Sequence, residues 1–356
     1  MLLKKNLHLK NINRIRVSEG RDLINGLRLD RNEKVDNWEK NILEKVLKDK
    51  PDCFLSTYPE INQLYDKLSN HLNLDKSEIL LTSGIDGSIK NILDVICNPG
   101  SNVGVFSPTY AMYQVYCDIL RINLVPIGYN KDYKFSEYDL EEFLEKSPDI
   151  LFVPNPNQPI ESCLSFDELK TLADKCNNKN CILVIDEAYH YFGADCSIPL
   201  IKEFENVIVL RTFSKAFGMP SIRVGYTACN KNIMSVLSKS RLAHELSSLS
   251  IAIAEYLIDN FDQIEKYCNS IIKSRDLLKT ELNSLGLNAH GNKGNYLLIT
   301  FNNETDVNEV VKKLSEKKIY VKGPWKDPWS KSITITVGPE ILMKKFVENL
   351  KLILGL

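Results

Sequence analysis

Directly after the apolar run Val207–Leu210, the segment Arg211-Thr212-Phe213-Ser214-Lys215-Ala216-Phe217-Gly218 sets an amine among small hydroxyl residues and a glycine. A lysine amine attacks an aldehyde only after losing its proton, which desolvation or neighbouring positive charge promotes. Arg223 supplies such charge a short way downstream. Its guanidinium can also grip a phosphate through two parallel hydrogen bonds. Asp186 follows the run Ile182–Ile185. A carboxylate at a buried strand end is costly unless it meets a cation, and a protonated pyridine nitrogen would be one. Tyr189 lies three residues further on and can offer its hydroxyl to such a ring's phenolate oxygen. After Ile79–Thr82 comes Ser83-Gly84-Ile85-Asp86-Gly87-Ser88, opening a helix whose free N–H groups would bind a phosphate. After Asn102–Phe106 comes Ser107-Pro108-Thr109-Tyr110, whose aromatic ring could stack on a planar group.

Each piece alone has a plain structural reading. A single lysine is usually solvated, and a single aspartate usually caps a helix or turn. A single arginine makes an ion pair, and a single tyrosine packs in the core. The functional reading rests on their coincidence at five strand ends, in chain order, with complementary chemistry for one ligand.

The elements that must position these groups are legible as well. The β-rich runs Ile79–Thr82, Asn102–Phe106, Ile150–Val153, Ile182–Ile185, Val207–Leu210 and Val224–Ala228 alternate with helix-period stretches at Ser88–Ile96, Tyr110–Leu120 and Phe166–Cys176. Continuous apolar strands alternating with helices predict a mostly parallel α/β sheet covered on both faces. Ligands bind beyond the carboxyl ends of such strands. Later come a long helical stretch through Phe261–Leu285, strand Tyr296–Phe301, helix Val307–Glu316, strands Ile319–Lys322 and Ile333–Val337, and a helix from Glu340. The pattern predicts an arm over 1–34 joining a small lobe, a large domain over 35–269, and a smaller α+β domain over 270–356.

Composition narrows the function. Lys and Arg number 45 against 46 Asp and Glu. That balance gives no electrostatic reason to expect nucleic acid or an anionic membrane as partner. No apolar run approaches the roughly 18–20 residues that cross a bilayer, and the start lacks a signal-peptide core. The nine cysteines are scattered without a Cys-x-x-Cys pair, which predicts reduced thiols in the cytoplasm. His244-Glu245 begins like a zinc-binding helix, but Ser248 stands where the second histidine belongs, so no metal site is expected. Gly-x-Gly-x-x-Gly and Gly-x-x-x-x-Gly-Lys fingerprints are absent. The stretch Gly323-Pro324-Trp325-Lys326-Asp327-Pro328-Trp329 reads either as a packed hairpin turn or as a substrate-facing wall.

The block Arg211–Tyr226, RTFSKAFGMPSIRVGY, resembles the lysine-to-arginine block of class I/II aminotransferases of pyridoxal 5′-phosphate fold type I, in the histidinol-phosphate aminotransferase-like branch. The resemblance extends from Leu27–Glu33 to Ile333–Pro339. It implies a large domain with a mostly parallel seven-stranded sheet between helices, plus a smaller α+β domain. It implies pyridoxal 5′-phosphate as cofactor, Lys215 as its Schiff-base lysine and Asp186 as partner of the ring nitrogen. Tyr189 would meet the 3′-oxygen, and Tyr110 would stack on the ring. Phosphate contacts are implied for Gly84, Ile85, Asp86, Thr212, Ser214 and Arg223. Tyr58, in Tyr58-Pro59, matches a tyrosine that reaches the neighbouring subunit's cofactor phosphate, which implies a homodimer with shared sites.

Two departures stand out. The family's Asn-Pro-Thr-Gly appears as Gln158-Pro159-Ile160-Glu161, so Gln158, or Asn157 beside it, must serve the 3′-oxygen. The family strand Leu-Arg-Ile-Thr-Val-Gly appears as Ile333-Thr334-Ile335-Thr336-Val337-Gly338. Thr334 thus replaces the arginine that clamps the substrate carboxylate, forgoing charged hydrogen bonds worth roughly 1.5–3 kcal/mol each. Either Arg28, Arg31, Lys322 or Lys326 substitutes, or the amino acceptor carries no α-carboxylate. The expected activity is transamination from a donor such as glutamate to a small phosphorylated or phosphonylated aldehyde or ketone. Histidinol-phosphate transamination, decarboxylation of a phosphorylated amino acid, and a non-catalytic protein of this fold are the competing readings.

Overall fold

The computed structural model describes residues 4–12 and 26–356. In chain order the strands are β1 (Leu27–Arg28), β2 (Ile79–Thr82), β3 (Asn102–Ser107), β4 (Asn123–Gly128), β5 (Ile150–Pro154) and β6 (Ile182–Asp186). They continue with β7 (Val207–Thr212), β8 (Gly225–Cys229), β9 (Asn288–His290), β10 (Tyr296–Thr300), β11 (Ile319–Tyr320) and β12 (Ser332–Thr336). Seven strands form one sheet in the order β2-β8-β7-β6-β5-β3-β4. Strand β8 runs antiparallel to both neighbours. The remaining pairs are parallel.

Every residue of β5 and β7 is buried, which is why these strands read as unbroken apolar runs. Successive side chains point to opposite faces. Leu183 and Ile185 enter one core with Leu151, Val153, Val207 and Val209, while Val184 enters the other with Phe152, Ile208 and Leu210. Each such fully buried side chain stabilises the fold by about 1.5–3 kcal/mol before conformational entropy is subtracted.

Strand β4 was not expected from the sequence. Pro126 inside it cannot donate to a ladder, and only an edge strand tolerates that. Strand β4 is the edge next to β3, with three of its six residues half-buried and two exposed. Its apolar pattern is therefore weak. Helix Gly84–Ile96 begins four residues before the expected Ser88, because Gly84, at φ +69°, already turns the chain into it.

In the carboxyl-terminal part, β12-β10-β9 form an antiparallel sheet. Helix Phe261–Ser284 is unbroken across the expected boundary at 269/270. Strand β1 pairs in parallel with β11. The Leu29 N–H then donates to the Tyr320 carbonyl at 2.8 Å, and the Thr336 N–H donates to the Leu29 carbonyl at 2.8 Å. Of the expected arm, residues 27–32 are thus stitched to the small sheets, while 1–3 and 13–25 lie outside the described residues. No helix among the described residues is long and apolar enough to cross a membrane.

Candidate active site

The ends of β2, β5, β6 and β7 meet at a cavity of about 700 Å³. Ile85, Asp86, Tyr110, Gln158, Asp186, Tyr189, Thr212, Ser214, Lys215 and Arg223 all line it, so residues spread over 139 positions become neighbours. Arg223 precedes its strand, whereas the others stand at or beyond the ends of theirs. The antiparallel direction of β8 brings its beginning to the end of the sheet where β2 and β7 finish. Arg223 holds a left-handed backbone, φ +54°, and a non-glycine residue keeps that only where its surroundings enforce it.

Burial pushes the Lys215 amine down to about 8. Lys322 and Arg223 push in the same direction, and Glu33 and Asp186 oppose them. Burial and Lys322 therefore outweigh Arg223, which the sequence had offered as the activating charge. The Lys215 Nζ donates to the Arg31 carbonyl at 2.9 Å.

Asp186 is buried, and desolvation raises its carboxyl to about 6. The Tyr113 hydroxyl donates to Oδ2 at 2.7 Å and the Ala188 N–H to Oδ1 at 3.1 Å, both favouring ionisation. No ion pair satisfies Asp186 among the described residues. Its neighbour Glu187, in contrast, is paired with the buried Arg211 at 2.7 Å.

At the opposite end, helix Gly84–Ile96 presents its first turn beside the Arg223 guanidinium. Thr212 Oγ1 donates to Ser214 Oγ at 3.0 Å. The Tyr110 hydroxyl donates to Asp86 Oδ1 at 2.9 Å, and Arg223 Nη2 lies 3.3 Å from Asp86 Oδ2. A Cβ on Gly84 would sit 2.7 Å from Arg223 Nη2, so only glycine permits the close approach.

Other expected residues lie elsewhere. The Asn157 amide is engaged with the Pro108 and Ile160 carbonyls at 3.0 and 2.8 Å, which leaves Gln158 as the amide at the cavity wall. Thr334 is buried and accepts from the Trp325 indole N–H at 2.9 Å, so it offers the cavity nothing. Arg28 is held by Asp30 at 2.7 Å and lies over the Tyr320 ring. Lys326 is not part of the cavity wall, whereas Arg31 and Lys322 are. Of the stretch Gly323–Trp329, only Gly323 reaches the cavity. Tyr58 is 78% exposed and stacked on His244, away from this cavity.

Sequence reasoning missed Tyr113 and Asn32. Tyr113 lies on a helix, one turn beyond Tyr110, and not at a strand end. Asn32 donates from Nδ2 to the Tyr189 hydroxyl at 3.0 Å and from its N–H to Thr336 Oγ1 at 2.8 Å. Its link to two distant elements left no local signal.

These features fit pyridoxal 5′-phosphate. A buried carboxylate lacking a cation suits a protonated ring nitrogen. A helix N-terminus, two hydroxyls and a guanidinium beside a glycine suit its phosphate. A lysine depressed by burial suits its aldehyde.

Known proteins point the same way. Residues 24–350 match the family model described as aminotransferase class I and II. The chain is 29% identical over 313 residues to a histidinol-phosphate aminotransferase of Ruminiclostridium cellulolyticum, covering 85% of this chain and 84% of that one. Its fold is similar to the crystal structure of a Sinorhizobium meliloti histidinol-phosphate aminotransferase in complex with pyridoxal-5′-phosphate, at a TM-score of 0.82 and 22% identity, covering 92% and 90% of the two chains. It is also similar to an L-threonine-O-3-phosphate decarboxylase of Porphyromonas gingivalis, at a TM-score of 0.75 and 22% identity, covering 92% and 99%.

Proposed function

The chain belongs to the class I and II aminotransferases and is a pyridoxal 5′-phosphate-dependent enzyme, and from that premise we propose that it moves an amino group from a donor such as glutamate to a small phosphorylated or phosphonylated aldehyde or ketone. The observation that carries the acceptor class is the engagement of Thr334 by Trp325, which leaves no carboxylate clamp on β12. Cations instead line the cavity as Arg31 and Lys322. Histidinol phosphate is one member of this acceptor class in its keto form.

When bound, the cofactor supplies an aldehyde that condenses with amines and a cationic ring that draws electrons from the substrate carbon. Asp186 would hold the ring nitrogen's positive charge, and Tyr113 and Ala188 orient that carboxylate and favour its ionised form. Arg223, Thr212, Ser214 and the first turn of Gly84–Ile96 would hold the phosphate. Tyr189, itself fixed by Asn32, and Gln158 serve the 3′-oxygen. Tyr110, which lines the cavity, would offer its ring for stacking. The Lys215 amine is lowered by burial to about 8, well below the ordinary lysine range. It can therefore take a proton from the substrate carbon and return one as general base and acid.

Two copies sharing their sites complete this reading. Exposed Tyr58, stacked on His244, sits clear of its own chain's cavity, a placement that supports a role at a neighbour's phosphate. All nine cysteines are unpaired thiols, which supports a cytoplasmic setting.

The test is a half-reaction screen of the purified holoenzyme. Amino acids and amines bearing phosphate or phosphonate are mixed with it, and loss of the cofactor's aldehyde absorbance is followed. Conversion by glutamate and by amino phosphates or phosphonates supports the reading. Conversion by amino acids alone sinks the acceptor class, and release of carbon dioxide without a keto acid would establish decarboxylation instead.

A further inference from the structure

We propose that Arg31 is the specificity-determining residue of this cavity, gripping the phosphate or phosphonate of the substrate from the amino-terminal strap in place of a clamp on β12. The inference rests on the acceptor class proposed above. Its support is the way the strap is anchored. On one side, Leu29 is hydrogen-bonded in both directions, to Tyr320 and to Thr336, each at 2.8 Å. On the other, Asn32 is buried and bonded to Thr336 and Tyr189. The Asn32 carbonyl also accepts from Asn295 Nδ2 at 3.2 Å. Asn32 holds a left-handed φ of +53°, a conformation that persists in a non-glycine residue only when its surroundings over-determine it.

Two residues, Asp30 and Arg31, are thereby presented to the cavity from a fixed backbone. The Arg31 carbonyl receives the Lys215 amine at 2.9 Å, so the strap sits beside the reacting lysine. The Arg31 side chain is 45% exposed, and its Nε stands 3.8 Å from Asp30, a carboxylate already engaged by Arg28 at 2.7 Å. That guanidinium is only loosely held and can turn to an incoming anion. Arg223, the other guanidinium lining the cavity, faces the opposite, helix-bearing end.

Lys322 faces the same space, with its Nζ 4.7 Å from the centroid of the Trp325 ring. Burial and then the Arg31 charge lower its amine below the ordinary lysine range. Two like charges held near each other in a cavity repel, and a dianion between them relieves the repulsion. A planar guanidinium matches tetrahedral phosphate or phosphonate oxygens bidentately, which a lysine cannot do.

The experiment uses holoenzyme with 2-aminoethylphosphonate, O-phosphoethanolamine and histidinol phosphate as phosph(on)ate probes and L-glutamate as the amino acid. Arg31→Gln is expected to raise KM for the productive phosph(on)ate probe by roughly 10- to 100-fold, with Arg31→Lys only partly restoring it. The cofactor's visible spectrum should stay as in the wild type, which certifies the fold, and the rise in KM should be several-fold larger for the phosph(on)ate probe than for glutamate. A rise shared equally with glutamate, confined to glutamate, or absent overturns the inference, as does a loss seen in Lys322→Met but not in Arg31→Gln. A wild type that converts none of the probes removes the acceptor class itself. A wild type that converts one, matched by Arg31→Gln, removes only the role of Arg31.

Discussion

The Trp325 indole N–H donates to the Thr334 hydroxyl at 2.9 Å, deep beside the Lys322–Thr334 bridge. The side chain that stands in the family's arginine position is thus buried and engaged. Trp325→Phe removes the donor and leaves that hydroxyl unsatisfied, which should cost about 1–3 kcal/mol. Urea denaturation of the two proteins measures it. The glutamate KM should not move, because Thr334 does not face the cavity. A large rise in that KM would show Thr334 to be a substrate ligand after all.

Lys215 gives a prediction with a definite sign. Its amine is lowered from 10.5 to about 8 in the fold, so below pH 8 both folded and unfolded chains carry the proton and the folded chain bears the full cost of burying it. Between pH 8 and 10.5 the unfolded chain binds more protons, and stability rises with pH. In cofactor-free protein, Lys215→Met should therefore be more stable than the wild type at pH 7. The difference is on the order of 1–3 kcal/mol after allowance for solvent screening, and it should shrink as the pH is raised past 8. With cofactor, the same variant should lose borohydride-reducible attachment and turnover. Wild-type turnover in Lys215→Ala would falsify the whole assignment.

Asp186 titrates with the opposite consequence. Its carboxyl is raised from 3.8 to about 6, chiefly by burial, so between those values the folded chain binds more protons than the unfolded one. Cofactor-free protein should lose stability as the pH rises through this window, by on the order of 2–3 kcal/mol. Asp186→Asn should abolish that slope in thermal melts. In the holoenzyme the same change should cut kcat by roughly 100-fold or more, as removal of a preorganised charge does. A kcat within a factor of a few of wild type would dissociate Asp186 from the ring nitrogen.

Gly84 and Arg223 should behave as one unit. A methyl at residue 84 would meet Arg223 Nη2 at 2.7 Å in a backbone conformation that side chains resist. Gly84→Ala should therefore weaken cofactor binding by displacing the guanidinium. Arg223→Gln should weaken it by roughly 10- to 100-fold. The double variant should be little worse than Arg223→Gln alone, because the first change acts through the second residue. Fluorescence titration of apoenzyme with cofactor reads all three, and full additivity would contradict the coupling.

The sequence by itself determined the sheet's buried strands and which residues beyond their ends gather at one cavity. Runs such as Ile182–Ile185 are apolar because both faces are covered, and the residues that follow each run are placed by the strand's direction alone. That logic reached Lys215, Asp186, Tyr189 and the Gly84–Asp86 turn. It failed at β4, where an edge strand containing Pro126 lacks the apolar signal. It also could not separate the four candidate cations, nor find Tyr113 and Asn32, whose roles depend on contacts between distant parts of the chain. Only the tertiary structure decided that Thr334 turns to Trp325, that Arg28 is taken by Asp30, and that Arg31 and Lys322 remain facing the cavity. It also decided that burial, more than any neighbouring charge, lowers the Lys215 amine. The physical reason is that strand periodicity is local, whereas desolvation and the choice among competing partners are properties of the packed chain.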